Sequence, residues 1–550
     1  MVDLQSTQSA QAAFAVGVAL HLFLFRFGEW DLATTKIITT AFLSYVALGT
    51  GLWQYFPAEY PSPLNGFAIA SRLGGALILG LVSSMMLYRG FFHRLRRFPG
   101  PFMARFSNFY VTSLSAKNLH LYEEIQSLHK KYGDYVRIGP SEISINDPKA
   151  VSIIHSAQSK CGKGPWYNVL HPMVSLQMIR NKSEHIKRRK VWDRGFSAKA
   201  LRDYEPRVIK HTENFMRQLE KMDNAPVNIT DWFNFYSFDV MGDLAWGKSF
   251  GMVDDGIKHY FMTSLHLDMK MNGLFSHMLW LFPIVKATPI LNSEHKKFWN
   301  WVNSQVQERR KIKPESPDVF SWILESHDSL SNPTAQNEMD LVGDAYLIAV
   351  AGSDTTAASL TCLFFELALH PESFKELQKE IDTFLEGQEQ FDTFSLSKLT
   401  YLDAVINETL RLHPPVPSGL QRMTPPEGLA IGDKFIPGNT IVQIPTYTMF
   451  RDARLFERPD EFIPERWTTR KELNKDPTVF VPFSTGRYSC IGKQLGLMEV
   501  RYMATRIIQK YDIALAADQN PQKFVEGKKD TFTLALSPLR LAFTRRKRDT

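Results

Sequence analysis

Apolar positions recur at helical spacing through most of the chain after residue 98. Seven stretches carry apolar side chains three or four residues apart, which predicts helices: residues 119–132, 184–196, 204–222, 340–370, 371–385, 395–412 and 492–511. Short alternating runs predict strands at residues 135–138, 141–145, 440–444 and 532–536. Many helices with few strands predict an α-rich α+β fold, in which one large domain with small peripheral sheets covers residues 98–550.

The first hundred residues show a different pattern. Three apolar stretches, residues 12–25, 37–56 and 73–92, are separated by short polar breaks. A bilayer core needs about 20 apolar residues in a helix. The second stretch meets this length without a charge, whereas His21 and Arg89 lie near the ends of the other two. We therefore predict a membrane anchor over residues 1–97 with one to three transmembrane helices. The alternative is a buried hydrophobic hairpin with a single true span.

The charges beside these stretches indicate an orientation. The N-terminus, MVDLQSTQSAQ, lacks the basic start of a cleaved signal peptide. A basic run, residues 93–97, follows the third stretch, and basic segments remain on the cytosolic side. Three spans would therefore place residues 93 onward in the cytosol. The sequence FPGPF at residues 98–102 cannot continue a helix, so it predicts a hinge.

Charge and cysteine content exclude several classes of protein. The chain has 550 residues, with 64 Lys+Arg against 57 Asp+Glu and a net charge of +7. This small excess argues against a nucleic-acid partner. Three cysteines, Cys161, Cys362 and Cys490, lie far apart and show no CxxC spacing. They predict neither a disulfide framework nor a zinc site.

The segment VPFSTGRYSCIGKQLG, residues 481–496, places Cys490 just before a predicted helix. Pro482 and Gly486 break regular structure ahead of it. The positive end of the helix and its free N–H groups should lower the pKa of the thiol and favour the thiolate. Such a thiolate can ligate haem iron. The alternative is an inert buried cysteine, the commoner use of this residue.

The same segment resembles the FxxGxRxCxG signature of the cytochrome P450 monooxygenases. The matching residues are Phe483, Gly486, Cys490 and Gly492. The resemblance implies that Cys490 ligates the iron and that the other three adjoin the haem. One position departs from the signature, because Tyr488 stands where the family has an arginine that pairs with a haem propionate. Tyrosine can donate a hydrogen bond but carries no charge.

Glu408 and Arg411 are three residues apart on a predicted helix and share one face. They match the ExxR motif of the family. The sequence PERW, residues 464–467, resembles a second family element, with Arg466 as the third partner. The resemblance implies a buried ion network behind the cysteine segment. The alternative is a surface pair that contributes about 0.5 kcal/mol.

The sequence AGSDTT, residues 351–356, resembles the AGxDTT segment of the family. The resemblance implies that Ala351 and Gly352 form a notch over the haem where O₂ binds, and that Asp354 and Thr355 deliver protons. Thr355 can also bond back to a carbonyl and bend the helix. The alternative, a helix N-cap, is disfavoured because the apolar run LIAVA precedes the segment.

Further basic residues resemble propionate-binding positions of the family. His185 and Arg189 lie four residues apart on a predicted helix, and Arg422 follows the ExxR motif. We hypothesise that these three side chains supply most of the propionate contacts, since Tyr488 has no charge. The alternative for His185 and Arg189 is a solvated basic face.

The resemblance implies a haem-thiolate monooxygenase that inserts one oxygen atom of O₂ into a C–H or C=C bond. It implies haem as cofactor and electrons from a separate NADPH-dependent flavoprotein reductase, which residues 187–190 could dock. The apolar segments 162–178, 265–289 and 416–420 and the turn around Phe532 predict a lipophilic substrate. The motifs resemble those of fungal microsomal members of secondary metabolism, which implies the endoplasmic reticulum membrane with the catalytic domain facing the cytosol.

Two alternatives remain open from the sequence. A haem-thiolate isomerase or dehydratase would not use O₂, and the Asp354–Thr355 pair argues against it. A non-catalytic haem or lipid-binding membrane protein belongs to a different class. A sixth iron ligand from the protein would support that class, and the predicted notch shows no His or Met.

Overall fold

The structure is a computed structural model that describes residues 4–386 and 391–547. These residues form two compact units. The first unit contains the described part of Met1–Ser113 together with Val136–Ile143 and Phe275–Ser293. The second contains Leu114–Tyr135, Ser144–Leu274 and the described part of Glu294–Thr550.

Helices make up most of both units. The α-helices are α1 (Thr7–Leu20), α2 (Thr34–Tyr55), α3 (Pro63–Leu87), α4 (Phe109–Asn118), α5 (Leu121–Tyr132), α6 (Pro148–His155), α7 (Lys182–Gly195), α8 (Ala198–Lys221), α9 (Ile229–Trp246), α10 (Met252–Asp255), α11 (Tyr260–Phe275), α12 (Leu281–Ala287), α13 (Ser293–Arg309), α14 (Val319–Asp328), α15 (Ala335–Leu369), α16 (Pro371–Leu385), α17 (Thr400–Leu412), α18 (Thr446–Met449), α19 (Lys493–Lys510) and α20 (Pro521–Glu526). The strands are β1 (Tyr135–Gly139), β2 (Glu142–Ile145), β3 (Gly162–Lys163), β4 (Val227–Asn228), β5 (Arg422–Met423), β6 (Leu429–Ile431), β7 (Lys434–Ile436), β8 (Ile441–Gln443), β9 (Tyr511–Leu515), β10 (Lys529–Thr531), β11 (Thr533–Ala535) and β12 (Arg540–Arg545).

The first unit contains three apolar helices near the N-terminus. The helical segments Thr7–Phe25, Asp31–Tyr55 and Pro63–Phe92 are each long and apolar enough to cross a bilayer. Two polar side chains in them have partners within the unit. His21 Nδ1 lies 2.8 Å from Ser84 Oγ, and Arg89 donates to a backbone carbonyl at 2.8 Å. These features fit a membrane anchor.

The first unit also extends beyond the predicted boundary at residue 97. The backbone N–H of Arg137 donates to the carbonyl of Pro99 at 2.7 Å. Asn108 donates to the carbonyl of His277 at 2.7 Å, and His277 Nδ1 lies 2.7 Å from a carboxylate oxygen of Glu142. These polar contacts connect segments that are distant in sequence, so the sequence pattern near residue 97 did not reveal them.

The second unit is built around α15, which has 35 residues and a length of about 50 Å. It packs against α9, α17 and α19, and most of its side chains are buried, so it is a core helix although it is apolar enough to span a membrane. Its first turn precedes the predicted start at residue 340, because Thr334 caps the helix and accepts from the N–H of Asn337.

The predicted α-rich α+β fold is confirmed. All seven predicted helices are present, although α7 and α8 also begin early, at the N-caps Asn181 and Ser197. The predicted strands correspond to β1, β2, β8 and β11. One antiparallel pairing positions functional side chains: β3 pairs with β5 so that Lys163 faces Arg422, and β5 pairs in turn with β8.

Candidate active site

A cavity of about 380 Å³ lies within the second unit. Its lining is mostly apolar, and it includes residues from every segment that the sequence predicted to contact substrate. Those segments contribute Trp166, Met178, Met269, Val416, Leu420 and Phe532, among others. The rings of Trp166 and Phe532 stack with centroids 4.3 Å apart. The apolar lining suits a lipophilic ligand.

Cys490 lines the same cavity, in the loop that precedes α19. Its backbone N–H donates to the carbonyl of Phe483 at 2.8 Å, and Gly492 is the N-cap of α19. Gly486 has a φ of +69° in this loop, and a Cβ atom there would lie 2.4 Å from the His155 carbonyl oxygen. Gly486 thus shapes the loop, but it is not among the residues that line the cavity.

The pKa predicted for Cys490 from sequence was wrong in direction. Desolvation by the surrounding protein atoms raises the pKa of the thiol, although the residue is exposed at the surface of the cavity. The backbone N–H groups of Gly492 and Lys493 and the charge of Arg189 act in the opposite direction, but they do not outweigh the desolvation. The helix terminus therefore does not bring the pKa of this thiol below its ordinary value. A bound metal ion deprotonates a coordinating thiol outright.

The three residues of the expected ion network lie together in the core, away from the cavity. The carboxylate of Glu408 accepts from Arg411 at 2.8 and 3.0 Å and from Arg466 Nε at 2.9 Å. It also accepts from the backbone N–H of Ile463 and from Trp467 Nε1, each at 3.0 Å. The side chains of Glu408, Arg411 and Arg466 are completely buried.

The expected notch residues Ala351, Gly352 and Thr355 all line the cavity, on α15. Thr355 Oγ1 donates to the carbonyl of Ala351 at 2.7 Å, as the sequence predicted. Asp354 is not among the cavity-lining residues. Its carboxylate lies 3.5 Å from Nε2 of His266 on α11. The structure therefore separates the two residues that were expected to manage protons together.

The notch is not free of methionine, which corrects the expectation from sequence. Met241 of α9 lines the cavity. A Cβ atom at Gly352 would lie 2.5 Å from the Met241 sulfur. The sequence could not reveal this neighbour, because α9 and α15 are far apart along the chain and meet only through helix packing.

The three residues expected to supply most of the propionate contacts, His185, Arg189 and Arg422, line the cavity together with Tyr488. The His185 and Tyr488 rings meet edge to face, with centroids 4.8 Å apart. Burial, together with the neighbouring cations, lowers the pKa of His185 to about 3, so its ring is neutral. Arg189 donates to the Ser489 carbonyl at 2.8 Å. The sequence missed Lys163, which joins this group through strand pairing.

The donor set of this cavity fits a haem group. Three buried polar atoms on residues that line it have no hydrogen-bond partner within the described residues: Tyr488 OH, Arg422 Nε and His185 Nδ1. Buried polar atoms without partners are costly, and Arg422 Nε and the Tyr488 hydroxyl can both donate, so they suit a ligand that accepts hydrogen bonds. A cysteine sulfur, an apolar wall and donors suited to carboxylates suit the iron, the ring and the propionates of haem respectively. The fold and the site together define a haem-thiolate protein.

Comparisons with known proteins agree with this class. The family model for cytochrome P450 matches residues 99–543. The chain is 52% identical to "Cytochrome P450 monooxygenase FCK2" of Fusarium pseudograminearum, over 97% of each chain. It is 42% identical to "Cytochrome P450 monooxygenase phqL" of Penicillium fellutanum, over 97% of this chain and 94% of that one. It is 36% identical to "Tryprostatin B 6-hydroxylase" of Aspergillus fumigatus, over 96% and 95%.

The chain therefore belongs to the cytochrome P450 family, as its motifs predicted. The three relatives are fungal proteins named as monooxygenases or as a hydroxylase. They support an oxidoreductase that incorporates oxygen from O₂, and they do not favour the isomerase, dehydratase or non-catalytic alternatives. The family implies haem with a cysteine thiolate ligand.

Proposed function

We propose that this chain inserts one oxygen atom into a lipophilic intermediate of fungal secondary metabolism, with Cys490 as the iron ligand. One observation carries the proposal: Cys490 lines the same apolar cavity as Ala351, Gly352 and Thr355 of α15. When bound, haem supplies the activation of O₂ and the transfer of the oxygen atom. The chain supplies the ligand, the shape of the cavity and the protons.

In this proposal Thr355 moves a proton into the cavity. Its hydroxyl lines the cavity and donates to the Ala351 carbonyl, so it can hold a proton at a fixed place beside the notch. A positioned hydroxyl that relays protons contributes to the rate of such steps. Asp354 does not line the cavity, but its carboxylate lies 3.5 Å from Nε2 of His266, whose side chain is 30% exposed, so this pair connects α15 with solvent on the side away from Thr355.

The apolar wall binds and orients the substrate and excludes water. The stacked rings of Trp166 and Phe532 form part of it. The name of one relative gives tryprostatin B as the compound that it hydroxylates. We propose for this chain only the broader class of lipophilic secondary metabolites, since the cavity lining supports that class and no single compound.

Metabolite profiling tests this function directly. A strain that lacks the gene should accumulate a compound lighter by one oxygen atom than the product that the parent strain makes. That compound is then the substrate for assays with reductase and NADPH. Accumulation of an isomer or of a hydrated precursor would contradict the proposal.

A matched pair of threonine variants tests the role of Thr355. Thr361 lies on the same helix and also donates to a carbonyl, that of Ala357, at 2.8 Å, but it is buried away from the cavity. We expect Thr355→Ala to lower product formed per NADPH consumed by about tenfold or more. Thr361→Ala should leave this ratio within about twofold. Equal ratios in both variants would show that Thr355 moves no proton.

We further propose that a membrane-bound NADPH-dependent flavoprotein reductase supplies the electrons. Residues 187–190 contain two exposed lysines, Lys187 and Lys190, whereas Arg188 and Arg189 lie largely inside. An acidic reductase surface would fit this exposed pair. The double variant Lys187→Glu/Lys190→Glu should raise the reductase concentration needed for half-maximal rate, and salt should raise it in the parent. Insensitivity to both changes would overturn the docking site.

The N-terminal anchor also supports a proposal for where the protein resides in the cell. We propose that residues 1–97 hold the protein in the endoplasmic reticulum membrane, with residues 98–550 as the catalytic domain facing the cytosol. The three long apolar helices and the basic run after the third support this placement. Protease treatment of sealed microsomes should degrade the catalytic domain. Protection of that domain would place it in the lumen and contradict the orientation.

A further inference from the structure

A second, smaller cavity of about 40 Å³ lies within the second unit, next to the large one. The segment 412–417 contributes to both linings, and Pro414 belongs to both. The β10–β11 hairpin does the same, because Phe532 lines the large cavity and Leu534 lines the small one. A ligand in the small cavity would therefore contact the same two segments that form part of the substrate wall.

Two buried cations, Arg451 and Lys528, line the small cavity. The side chain of Arg451 is 9% exposed. Its Nη2 donates to the Leu412 carbonyl at 2.5 Å, and its Nε lies 3.4 Å from the exposed carboxylate of Asp460. Its Nη1 is buried and has no hydrogen-bond partner among the described residues. Because a buried donor without a partner is costly, this guanidinium suits a ligand that accepts hydrogen bonds.

The ammonium group of Lys528 also has donors to spare. The residue is 4% exposed, and of the three donors of an ammonium one reaches Nδ1 of His413 at 2.8 Å. Nε2 of His413 lies 2.5 Å from a carboxylate oxygen of Glu366, which assigns the ring proton to Nε2 and leaves Nδ1 as the acceptor. Burial, with the charge of Lys528, lowers the pKa of His413 to about 4, so its ring is neutral. Two ammonium donors therefore remain for a ligand.

The remaining polar residues of the lining also favour an anion. Tyr122 and Tyr447 line the cavity with ring centroids 4.6 Å apart, and tyrosine hydroxyls can donate hydrogen bonds. Of the described residues in the lining, only Glu123 is acidic. Its side chain is 43% exposed and lies 3.1 Å from Nδ1 of His120. The buried charges of the lining are therefore both positive, and the negative one is in contact with solvent.

We propose that this cavity binds one small inorganic anion, such as chloride, through Arg451 and Lys528. The size fits, because a water molecule needs about 10–15 Å³ of cavity and only a few atoms can enter a space of about 40 Å³. Hydrogen bonds from charged donors to an anion are among the stronger ones in proteins. The ion would stabilise the wall that the two cavities share. The proposal does not depend on the oxygen-insertion reaction.

The test measures thermal unfolding of the ferric, full-length protein in detergent while sodium chloride replaces sodium gluconate at constant ionic strength. Gluconate is too large for this cavity, so the exchange separates binding from charge screening. A ligand that binds only the folded chain raises the unfolding temperature as its concentration increases. The proteins compared are the parent, Lys528→Met and Lys529→Met. Lys529 is a matched control, because it is the next residue and its side chain is exposed.

We expect chloride to raise the unfolding temperature of the parent. In Lys528→Met the chloride concentration that gives half of this effect should be about tenfold higher or more, because one charged hydrogen bond is lost. Lys529→Met should remain within about twofold of the parent. Crystals of the parent grown in sodium bromide, measured at the bromine absorption edge, should show the ion in contact with Arg451 and Lys528.

Three results would overturn the inference. One is a parent whose unfolding temperature is the same in chloride and gluconate, since the cavity would then hold water alone. Another is the same chloride dependence in Lys528→Met as in the parent, because the ion would then bind elsewhere. The third is the absence of bromide at Arg451 in the crystals, and this measurement decides the question even if Lys528→Met does not fold.

Discussion

Two groups of buried cations lie in the second unit, and they differ in their partners. Arg411 and Arg466 are fully buried around the carboxylate of Glu408. Their remaining N–H groups reach backbone carbonyls, including those of Phe450 and Glu457 at 2.9 Å. Lys163 and Arg422 are nearly as buried, but they have no carboxylate among the described residues.

The comparison shows that burial alone does not reveal the role of a charge. A buried ion is tolerated when its partners are complete within the chain, and such a group supports the fold. A buried cation without a partner is costly, and a ligand that carries the opposite charge removes the cost. We therefore expect the first group to support the folded core and the second group to bind a ligand. The following predictions test this distinction.

The largest effect is expected for Glu408→Gln. This change leaves Arg411 and Arg466 without a carboxylate, and breaking a buried ion pair in this way costs about 3–5 kcal/mol. Urea denaturation should show the loss. The control is Glu472→Gln, which removes the exposed partner of Arg470 and should cost less than about 1 kcal/mol. Similar losses of unfolding free energy in both variants would show that the buried network contributes no more to stability than an exposed ion pair.

The next effect is expected for the double variant Arg189→Ala/Arg422→Ala. Loss of two charged hydrogen bonds to the haem should increase the rate of haem loss roughly a hundredfold. The Soret absorbance per protein after gel filtration measures retention. Arg470→Ala, an exposed arginine, should retain haem like the parent. Unchanged retention in the double variant would contradict the proposed haem contacts of Arg189 and Arg422.

Glu499 is the reverse case, a buried acid that has no cation partner among the described residues. Burial raises its pKa in the folded chain well above 4.5. The free energy of unfolding is therefore highest at pH values below the pKa of the unfolded chain. It falls as the pH rises from there towards the pKa of the folded chain. Glu499→Gln does not titrate. Above the pKa of the unfolded chain, the free energy of unfolding of the variant should rise relative to that of the parent by up to about 1.4 kcal/mol per pH unit. Denaturation at several pH values measures this gain, and a difference that is constant with pH would contradict it.

The smallest effect is expected for Trp467→Phe. The indole N–H of Trp467 donates to Glu408 at 3.0 Å, and its loss should cost about 1 kcal/mol beyond the change in ring size. Trp299 is the control, because its side chain is buried whereas its indole N–H has no partner among the described residues. Equal unfolding free energies of Trp467→Phe and Trp299→Phe would show that this hydrogen bond adds nothing to the network.

The sequence predicted features that depend on local spacing. The helices, the loop of Cys490 before α19 and the shared face of Glu408 and Arg411 all follow from neighbours within a few residues. Arg466 was predicted to join this ion network only through the family resemblance, because 55 positions separate it from Arg411 in sequence. Its buried geometry was then visible only in the structure.

Features that depend on tertiary packing were not predictable in this way. Lys163 reaches Tyr488 because β3 pairs with β5, and Met241 reaches Gly352 because α9 packs against α15. The direction of the Cys490 pKa depends on burial, which a motif does not state. Each of these arises from segments that are distant along the chain.

The most direct test of the central claim is the absorbance spectrum of the reduced, carbonyl-bound protein. If Cys490 ligates the iron, the parent shows the red-shifted Soret band of thiolate ligation and Cys490→Ser loses it. Cys362→Ala, which removes a buried thiol of α15 outside the cavity lining, should keep the band. A parent without the red-shifted band, or a Cys490→Ser variant that retains it, would contradict the assignment of Cys490 as the iron ligand.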